Sequence, residues 1–239
     1  MNIALILSGG TGTRLGANIP KQYIRINDRL LISYCLEMFI KHEDIQGVWI
    51  VADPSWQNEI LSDIDNLSLD RSAILGFSNP GDNRQLSILN GLTDIESYIQ
   101  NNASTSDTDP VIIIHDAARP NLTKEFVSRC LNSLSNHDGL MPTLPMKDTV
   151  YISDDGHTIT SLVDRSKVLA GQAPEFYRLK KYLEATKSLL PDKILNINGS
   201  TEPAILYGLD VITIPGDENN YKITTASDLE KFSSQVLGQ

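Results

Sequence analysis

The sequence predicts an α/β protein built on a mostly parallel, three-layer sheet, because short apolar runs alternate with longer amphipathic stretches. The β-branched runs, which are typical of buried strands, lie at residues 3–7, 47–52, 73–76, 111–115 and 210–215. The stretches with apolar residues at helical spacing lie at residues 30–42, 84–100 and 124–136. This alternation of strands and helices predicts helices on both faces of the sheet. In such sheets, ligands bind at the carboxyl ends of the strands.

Residues 148–166 depart from this rhythm. Two short β-prone runs flank Asp154-Asp155-Gly156, which is a hairpin signal. A hairpin inserted late in an α/β chain often projects, so we expect an arm over about residues 145–168, within a single domain that covers residues 1–239. Thr225 or Ser227 is placed to cap a final helix.

The composition excludes several classes of function. No apolar run approaches the roughly 20 residues of a membrane span, and the N-terminal apolar run lacks the basic flank of a signal peptide, so we expect a cytoplasmic protein. A formal net charge of −10 disfavours binding to nucleic acid or to an anionic membrane. Cys35 and Cys130 lie far apart, outside any metal or redox spacing, and are expected to be reduced core thiols.

A glycine-rich loop with two cations, LSGGTGTRLGANIPKQY, spans residues 7–23. Glycines let backbone N–H groups approach a bulky anion, and Arg14 and Lys21 add positive charge. The loop lacks the Gly-Lys pair of a Walker A motif, and Pro20 interrupts any dinucleotide fingerprint. The pattern favours a phosphate-binding loop over a purely structural turn with solvated cations.

The segment IIIHDAARP ends a predicted central strand at Asp116. A carboxylate at this position can bind a divalent metal that bridges nucleotide phosphates, or it can be a turn or helix-cap residue before Pro120. Arg119 favours the metal hypothesis because it adds a phosphate-binding cation beside the carboxylate.

Three further segments are weaker signals when taken singly. In PGDNRQLSILNGL, Gly81, Asp82 and Ser87 either read a nucleobase or form an ordinary turn with an Asp cap. At the two ends of the arm, Thr149 and Arg165 either reach an anionic acceptor or are surface residues. Lys222, just before the last helix, is either a site lysine or a surface lysine.

Taken in order, these segments closely resemble the cytidylyltransferases that join CTP to a sugar-alcohol phosphate, which include enzymes for 2-C-methyl-D-erythritol 4-phosphate and for ribitol 5-phosphate. The resemblance runs from Leu7 to Leu229. It implies a Rossmann-like nucleotidyltransferase domain whose arm locks into a partner subunit to form a homodimer. It also implies CTP with Mg²⁺ as the donor, pyrophosphate as the leaving group and a CDP-alditol as the product.

The resemblance also implies a role for each matching residue. The catalytic cations are Arg14, Lys21 and Lys222. The nucleotide-binding residues are Ser8, Gly9, Gly10, Gly12, Gly81, Asp82 and Ser87. The acceptor-binding residues are Arg119, Thr149, Arg165 and Lys222. Asp116 is implied as the metal ligand, and Thr149 and Arg165 are expected to act across the dimer interface.

Two segments depart from the family pattern. Gln172-Ala173-Pro174-Glu175 stands where the family commonly has Gln-Thr-Pro-Gln, and NGSTEPAILYG (198–208) replaces the Thr-Asp-(Asp/Glu)-Ala of the isoprenoid branch. The segments NGL and HDAARP resemble the isoprenoid branch. The second departure, with GQ at 171–172 and PSW at 54–56, favours a polyol phosphate such as ribitol 5-phosphate, feeding a teichoic acid, capsule or similar surface polymer, over 2-C-methyl-D-erythritol 4-phosphate. A non-catalytic nucleotide-binding relative is a further alternative. An NAD-linked oxidoreductase, which would use Asp53, is disfavoured by the chemistry of the first loop.

Overall fold

A computed structural model describes residues 1–10, 19–102 and 109–238 of the chain. The strands are β1 (Asn2–Leu7), β2 (Arg25–Ile26), β3 (Arg29–Leu30), β4 (Gly47–Val51), β5 (Ile74–Ser78), β6 (Val111–Asp116), β7 (Gly139–Pro145), β8 (Val150–Ile152), β9 (Ser161–Val163), β10 (Leu169–Gly171), β11 (Glu175–Arg178) and β12 (Val211–Pro215). The α-helices are α1 (Leu31–Ile40), α2 (Pro54–Asn66), α3 (Arg84–Asn102), α4 (Lys124–Leu134), α5 (Leu179–Lys187), α6 (Glu202–Leu206) and α7 (Ala226–Leu237).

The central sheet has eight strands, seven of them in the order β10-β7-β11-β6-β1-β4-β5, with β12 paired to β7. The β1, β4, β5 and β6 strands run parallel, as does the β7–β12 pair. β11 is antiparallel to both β6 and β7, and β10 is antiparallel to β7. The prediction of a mostly parallel sheet is confirmed, with antiparallel strands added on one side.

Both faces of the sheet are covered, as the apolar runs predict. Successive side chains of a strand point to opposite faces. In β1, Ala4 and Ile6 therefore join one core with α1, whereas Ile3 and Leu5 join another with α3 and α5. The predicted three-layer arrangement is confirmed.

Helix α2 was not predicted from the sequence, although its start signals are clear. Asp53 caps it by accepting hydrogen bonds from Ser55 N at 2.9 Å and Ser55 Oγ at 2.6 Å, and Pro54 occupies the first turn. Only Ile60, Asp63 and Ile64 of this described helix are buried, so its apolar stripe is narrow. Asp53, which the oxidoreductase alternative would use to bind a ribose, is thus occupied as the cap of α2.

The predicted arm is present as a hairpin of β8 and β9, in which Val150 pairs with Val163. At its turn Gly156 has a φ of +74°, and the Asp155 carboxylate accepts hydrogen bonds from the backbone N–H groups of His157 and Thr158. The hairpin exposes large apolar side chains, among them Leu162 at 65%.

The structure also bears on the two cysteines, on the cap of the final helix and on the length of the helices. Cys35 and Cys130 are free and buried, and burial raises the pKa of each thiol to about 12. Thr225 caps α7 in a capping box with Asp228. Across residues 1–10, 19–102 and 109–238, each helix is too short or too polar to span a membrane.

Candidate active site

The candidate site lies at the edge of the sheet where β1 and β6 end. Leu7 and Asp116, the last residues of these two parallel strands, are partners in the register. Ala117 N donates a hydrogen bond to Leu7 O at 3.1 Å, which carries the pairing one residue further. The glycine-rich loop and the predicted metal carboxylate therefore leave the sheet side by side.

Gln22 and Tyr23 hold the first residues of the loop through hydrogen bonds. Gln22 Nε2 donates to the carbonyl oxygens of Ser8 and Gly10, at 2.7 Å each. The Ser8 hydroxyl contacts the Tyr23 hydroxyl at 2.9 Å and is buried. Because these contacts engage the carbonyls and the Ser8 side chain, Ser8 contributes mainly to shaping the loop.

Glycine is required at position 9, the third residue of the loop. A Cβ on Gly9 would lie 2.4 Å from Pro80 Cβ, so only glycine lets the loop touch the segment that follows β5. A Cβ on Gly10 would meet no atom within 4 Å, so this residue borders open space. Gly12 and Arg14 lie outside the described residues.

Two predicted cations from opposite ends of the chain converge here. Lys21 Nζ donates to Ile223 O at 2.7 Å, and the neighbouring Lys222 places its Nζ 3.0 Å from Asp116 Oδ2. Ile223 N in turn donates to Ala118 O at 2.8 Å. The segment before α7 is thus tied to the residues that follow β6.

Asp116 is surrounded by positive charge. Arg84 Nη2 lies 3.2 Å from Oδ1, while Lys222 Nζ lies 3.0 Å and Arg119 Nε 3.6 Å from Oδ2. Burial by itself would raise the pKa of Asp116, but Arg84, then Lys222 and Arg119, outweigh it and hold that pKa well below its usual range. The carboxylate is therefore ionised at neutral pH.

Sequence reasoning missed Arg84. It is the first residue of α3, and a cation at a helix start that faces the carboxyl ends of strands is a recognisable signal within the quoted segment PGDNRQLSILNGL. Its guanidinium also donates from Nη1 to Ser200 Oγ at 2.7 Å. Arg84 thus joins Asp116 to the segment that departs from the family pattern.

The donor set fits a magnesium ion that is shared with phosphates. Within the ranges that the structure describes, no group of three or more His, Cys, Asp or Glu side chains is arranged to hold a metal. Asp116 is a single ionised carboxylate at the sheet edge. Mg²⁺ in nucleotide enzymes is commonly held by one or two carboxylates together with substrate phosphates, and this arrangement requires no further protein ligand.

Asp82 is exposed in the segment PGDNRQLSILNGL, which is predicted to read a nucleobase. The Ser87 hydroxyl accepts from Gly81 N at 3.0 Å and donates to Asn83 O at 2.9 Å, so it organises the turn. Asn83, not Asp82, caps α3, because its Oδ1 accepts from Leu86 N at 2.8 Å. The alternative of an Asp cap is therefore wrong.

Thr149 and Arg165, at the two ends of the arm, do not contact the cluster formed by Asp116 with Arg84, Arg119 and Lys222, which we call the Asp116 cluster. Arg165 Nη1 donates to Lys147 O at 2.8 Å, which ties together the two ends of the arm. Thr149 is exposed. Within residues 1–10, 19–102 and 109–238, no hydrogen bond or ion pair joins either side chain to Asp116, Arg119 or Lys222.

Gln172 positions the loop that carries Lys222. Its side-chain amide donates to Asp217 O at 2.8 Å and accepts from Asp217 N at 3.0 Å. Asn220 Nδ2 donates to Ala173 O at 2.8 Å, and Asn220 O accepts from Arg119 Nη1 at 2.8 Å. These contacts use only the backbone of Ala173, so they require no side-chain hydroxyl at this position.

Comparisons with known proteins give one family and several relatives. The family described as 2-C-methyl-D-erythritol 4-phosphate cytidylyltransferase (IspD) matches residues 2–236. The chain is 28% identical over 238 residues to a ribitol-5-phosphate cytidylyltransferase of Streptococcus pneumoniae serotype 2, covering 99% of each chain.

It is also 30% identical to a bifunctional IspD/IspF enzyme of Nitrobacter hamburgensis, of which it spans 54%. Among solved structures, the 4-diphosphocytidyl-2C-methyl-D-erythritol synthase of Anaerococcus prevotii superposes with a TM-score of 0.78 over 100% of this chain and 96% of that one, at 20% identity. At that identity the structural likeness establishes the fold alone.

Proposed function

Because the chain belongs to the 2-C-methyl-D-erythritol 4-phosphate cytidylyltransferase (IspD) family, we propose that it transfers CMP from CTP to ribitol 5-phosphate or a similar polyol phosphate. The products are a CDP-alditol and pyrophosphate. The observation that carries the proposal is the cluster in which Arg84, Arg119 and Lys222 surround Asp116 beside the start of the glycine-rich loop.

The cluster suits the binding of phosphates. Its three cations face two carboxylates, Asp116 and Glu175, so a positive charge remains for an anionic substrate. Lys21 lies at the same edge, where its contact with Ile223 O brings it next to Lys222. Cations that are already held in place stabilise the charge that builds on the α-phosphate oxygens and on the departing pyrophosphate.

The proposed chemistry requires no protein nucleophile and no strong base. An acceptor that is already a phosphate monoester is largely ionised near neutral pH, so its oxygen can attack the α-phosphorus of CTP in line. The protein then acts by orienting the two substrates and by excluding other geometries. We assign donor contacts to Gly10, Lys21 and the loop of Gly12 and Arg14, and base contacts to Asp82.

We propose that Asp116 holds the magnesium ion together with the CTP phosphates. When bound there, such an ion would neutralise charge on the triphosphate and would help to align the leaving group. Arg119 and Lys222, which pair with Asp116 in the structure, would then contact the acceptor phosphate and the α-phosphate.

Two observations support ribitol 5-phosphate over the isoprenoid acceptor. The pneumococcal relative, named for ribitol 5-phosphate, aligns from end to end with this chain. The segment around Ser200, which departs from the isoprenoid pattern, contacts the Asp116 cluster through Arg84, and Gln172, which resembles the ribitol branch, contacts it through Asn220. We infer that the product serves a surface polymer.

We further propose that the protein is a homodimer in which the arm of each subunit completes the site of the other. The exposed apolar side chains of the arm support this arrangement. Arg165 and Thr149 would then contact the acceptor phosphate in the neighbouring site.

A pyrophosphate-release assay tests the proposed function. The purified protein is given CTP and Mg²⁺ with ribitol 5-phosphate, 2-C-methyl-D-erythritol 4-phosphate or glycerol 3-phosphate, and the product is identified by mass spectrometry. We expect the highest kcat/KM with ribitol 5-phosphate. A higher kcat/KM with 2-C-methyl-D-erythritol 4-phosphate would assign the chain to isoprenoid synthesis, and no release with any acceptor would favour the non-catalytic alternative.

A further inference from the structure

Glu175 is a buried carboxylate that the proposed function leaves without a role. It is 7% exposed and begins β11. Its Oε1 accepts from the Ser200 hydroxyl at 2.5 Å, and its Oε2 lies 3.0 Å from the Tyr177 hydroxyl and 3.2 Å from that of Thr201. Hydroxyl groups therefore surround both carboxylate oxygens.

Ser200 connects this carboxylate to the candidate site. Its hydroxyl accepts from Arg84 Nη1 at 2.7 Å and donates to Glu175, so its single proton is committed. The other end of the same guanidinium, Nη2, lies 3.2 Å from Asp116 Oδ1 and 4.0 Å from Glu175 Oε1. Arg84 thus interacts with Asp116 directly and with Glu175 mainly through the Ser200 hydroxyl.

We propose that Glu175, acting through Ser200, is a positioning residue that holds Arg84 and keeps it from pairing fully with Asp116. An arginine side chain has many rotamers, and its planar fork is positioned best when both ends are bound. If the charge of Glu175 were lost, Asp116 would be the remaining carboxylate partner of Arg84 among the described residues. A tighter pair would withdraw the Asp116 oxygens from a metal and from Lys222.

The same contacts show that the two departures from the family pattern form one structural feature. Glu175 belongs to the altered segment at 172–175, whereas Ser200 and Thr201 belong to the altered segment at 198–208. A carboxylate supplied from position 201 would lie near the same place, because Thr201 Oγ1 is 3.2 Å from Glu175 Oε2. The charge can therefore be moved between the two segments in an experiment.

The test compares Glu175→Gln and Ser200→Ala with Glu96→Gln. Glu96 lies on α3, the helix that Arg84 begins, and pairs with Lys187 at 3.3 Å on the surface, so it is a matched control for the loss of one carboxylate. The first measurement is independent of function. In side-chain ¹⁵N NMR spectra, assigned with Arg84→Lys, we expect separate Nη signals for Arg84 in the wild type and in Glu96→Gln.

We expect these signals to shift in Glu175→Gln and in Ser200→Ala, because the guanidinium moves from Ser200 toward a fuller pair with Asp116. Unchanged Arg84 signals in both folded variants would overturn the proposal. Melting temperatures identify a variant that does not fold, and Ser200→Ala, which removes one oxygen atom, serves as the second variant in that case.

The kinetic part of the test rests on the function proposed above. We expect kcat in Glu175→Gln to fall about tenfold or more, with KM for CTP within about twofold of the wild type, and the double variant Glu175→Gln/Thr201→Asp to recover part of kcat. A kcat equal to that of Glu96→Gln would overturn the positioning role. If the wild type shows no turnover, the proposed function fails, whereas the NMR result still decides whether Glu175 holds Arg84.

Discussion

At the scale of single residues, the site depends on keeping one buried carboxylate charged. Burial opposes the ionised form of Asp116, and the charges of Arg84, Lys222 and Arg119 overcome it. The neighbouring His115 is neutral at pH 7, because burial lowers its pKa to about 4. Its Nε2 therefore donates to Arg119 O at 3.0 Å and holds the turn after β6.

Lys222 is the residue with the most direct test. We expect Lys222→Ala to lower kcat by about 10²-fold or more, because it removes a positioned cation from the developing phosphate charge. The fold should be retained, since the side chain is 38% exposed. Pyrophosphate release gives kcat, and a thermal melt reports on the fold.

Lys231→Ala is the control, since Lys231 lies on α7 with its Nζ 4.2 Å from the centre of the Tyr221 ring. It should retain the wild-type rate. A Lys222→Ala enzyme within about twofold of the wild type would remove Lys222 from the catalytic set.

At the scale of elements, α7 anchors the segment that carries Lys222. The Asp228 carboxylate accepts from the backbone N–H groups of Thr224 and Thr225, at 2.8 Å each. Ile223 and Phe232 pack together in a small core with Leu31. The cap therefore links the end of the Lys222 segment to a buried helix face.

We expect Asp228→Asn to lower stability at pH 7 by about 1 kcal/mol, or roughly 2–4 °C in Tm. These hydrogen bonds hold the pKa of Asp228 at about 2, below its ordinary value of 3.8. The contribution of the carboxylate is therefore complete above pH 4 and is lost as the pH falls through 2.

Melts at pH 7 and pH 3 measure the effect, with Asp154→Asn in the exposed arm turn as the control. A difference in Tm from the wild type that does not shrink at the lower pH would contradict the assignment to the carboxylate charge.

The elements also show what the sequence could predict. The parallel strands β1, β4 and β6 are continuous apolar runs, and their rhythm with α1 and α3 is sufficient to predict them. β11 has only four residues and begins with a buried glutamate. Its Phe176 and Tyr177 enter opposite cores, so neither strand length nor hydropathy marks it.

The site divides in a similar way. Lys21, Asp116, Arg119 and Lys222 were predicted because they follow strands or precede a helix in recognisable motifs, and the structure brings them together. The contact of Arg84 with Ser200 joins residues 116 positions apart. Such a contact depends on how α3 docks against the segment before α6, which local patterns do not encode.

At the scale of the whole molecule, the arm leaves large apolar side chains exposed. Tyr151, Ile159 and Leu162 are 53%, 64% and 65% exposed. Tyr151 and Leu162 are opposite each other in the hairpin, and exposed apolar side chains of this kind are a candidate interface. Arg165 and Thr149 lie on the same arm, and in the proposed dimer they would reach the site of the neighbouring subunit. A second copy of the chain, as proposed above, would account both for the exposed apolar side chains and for the proposed acceptor contacts of Thr149 and Arg165.

Mixed dimers test whether the arm acts across the interface. By itself, Arg165→Ala should mainly raise KM for the acceptor, because it removes a phosphate contact. Coexpression of Lys222→Ala and Arg165→Ala subunits with different tags yields a dimer in which one site is intact and the other lacks both residues. At low acceptor concentration, we expect this dimer to turn over at about half the wild-type rate.

This recovery occurs only if Arg165 serves the site of its partner. If Arg165 acted within its own chain, each site of the mixed dimer would lack one residue, and the rate would equal the mean of the two parent enzymes. Leu162→Asp separates the interface from the chemistry, because a charge on the exposed face of the arm should prevent pairing. In sedimentation experiments we expect this variant to be a monomer, and a monomer with full activity would contradict the shared site.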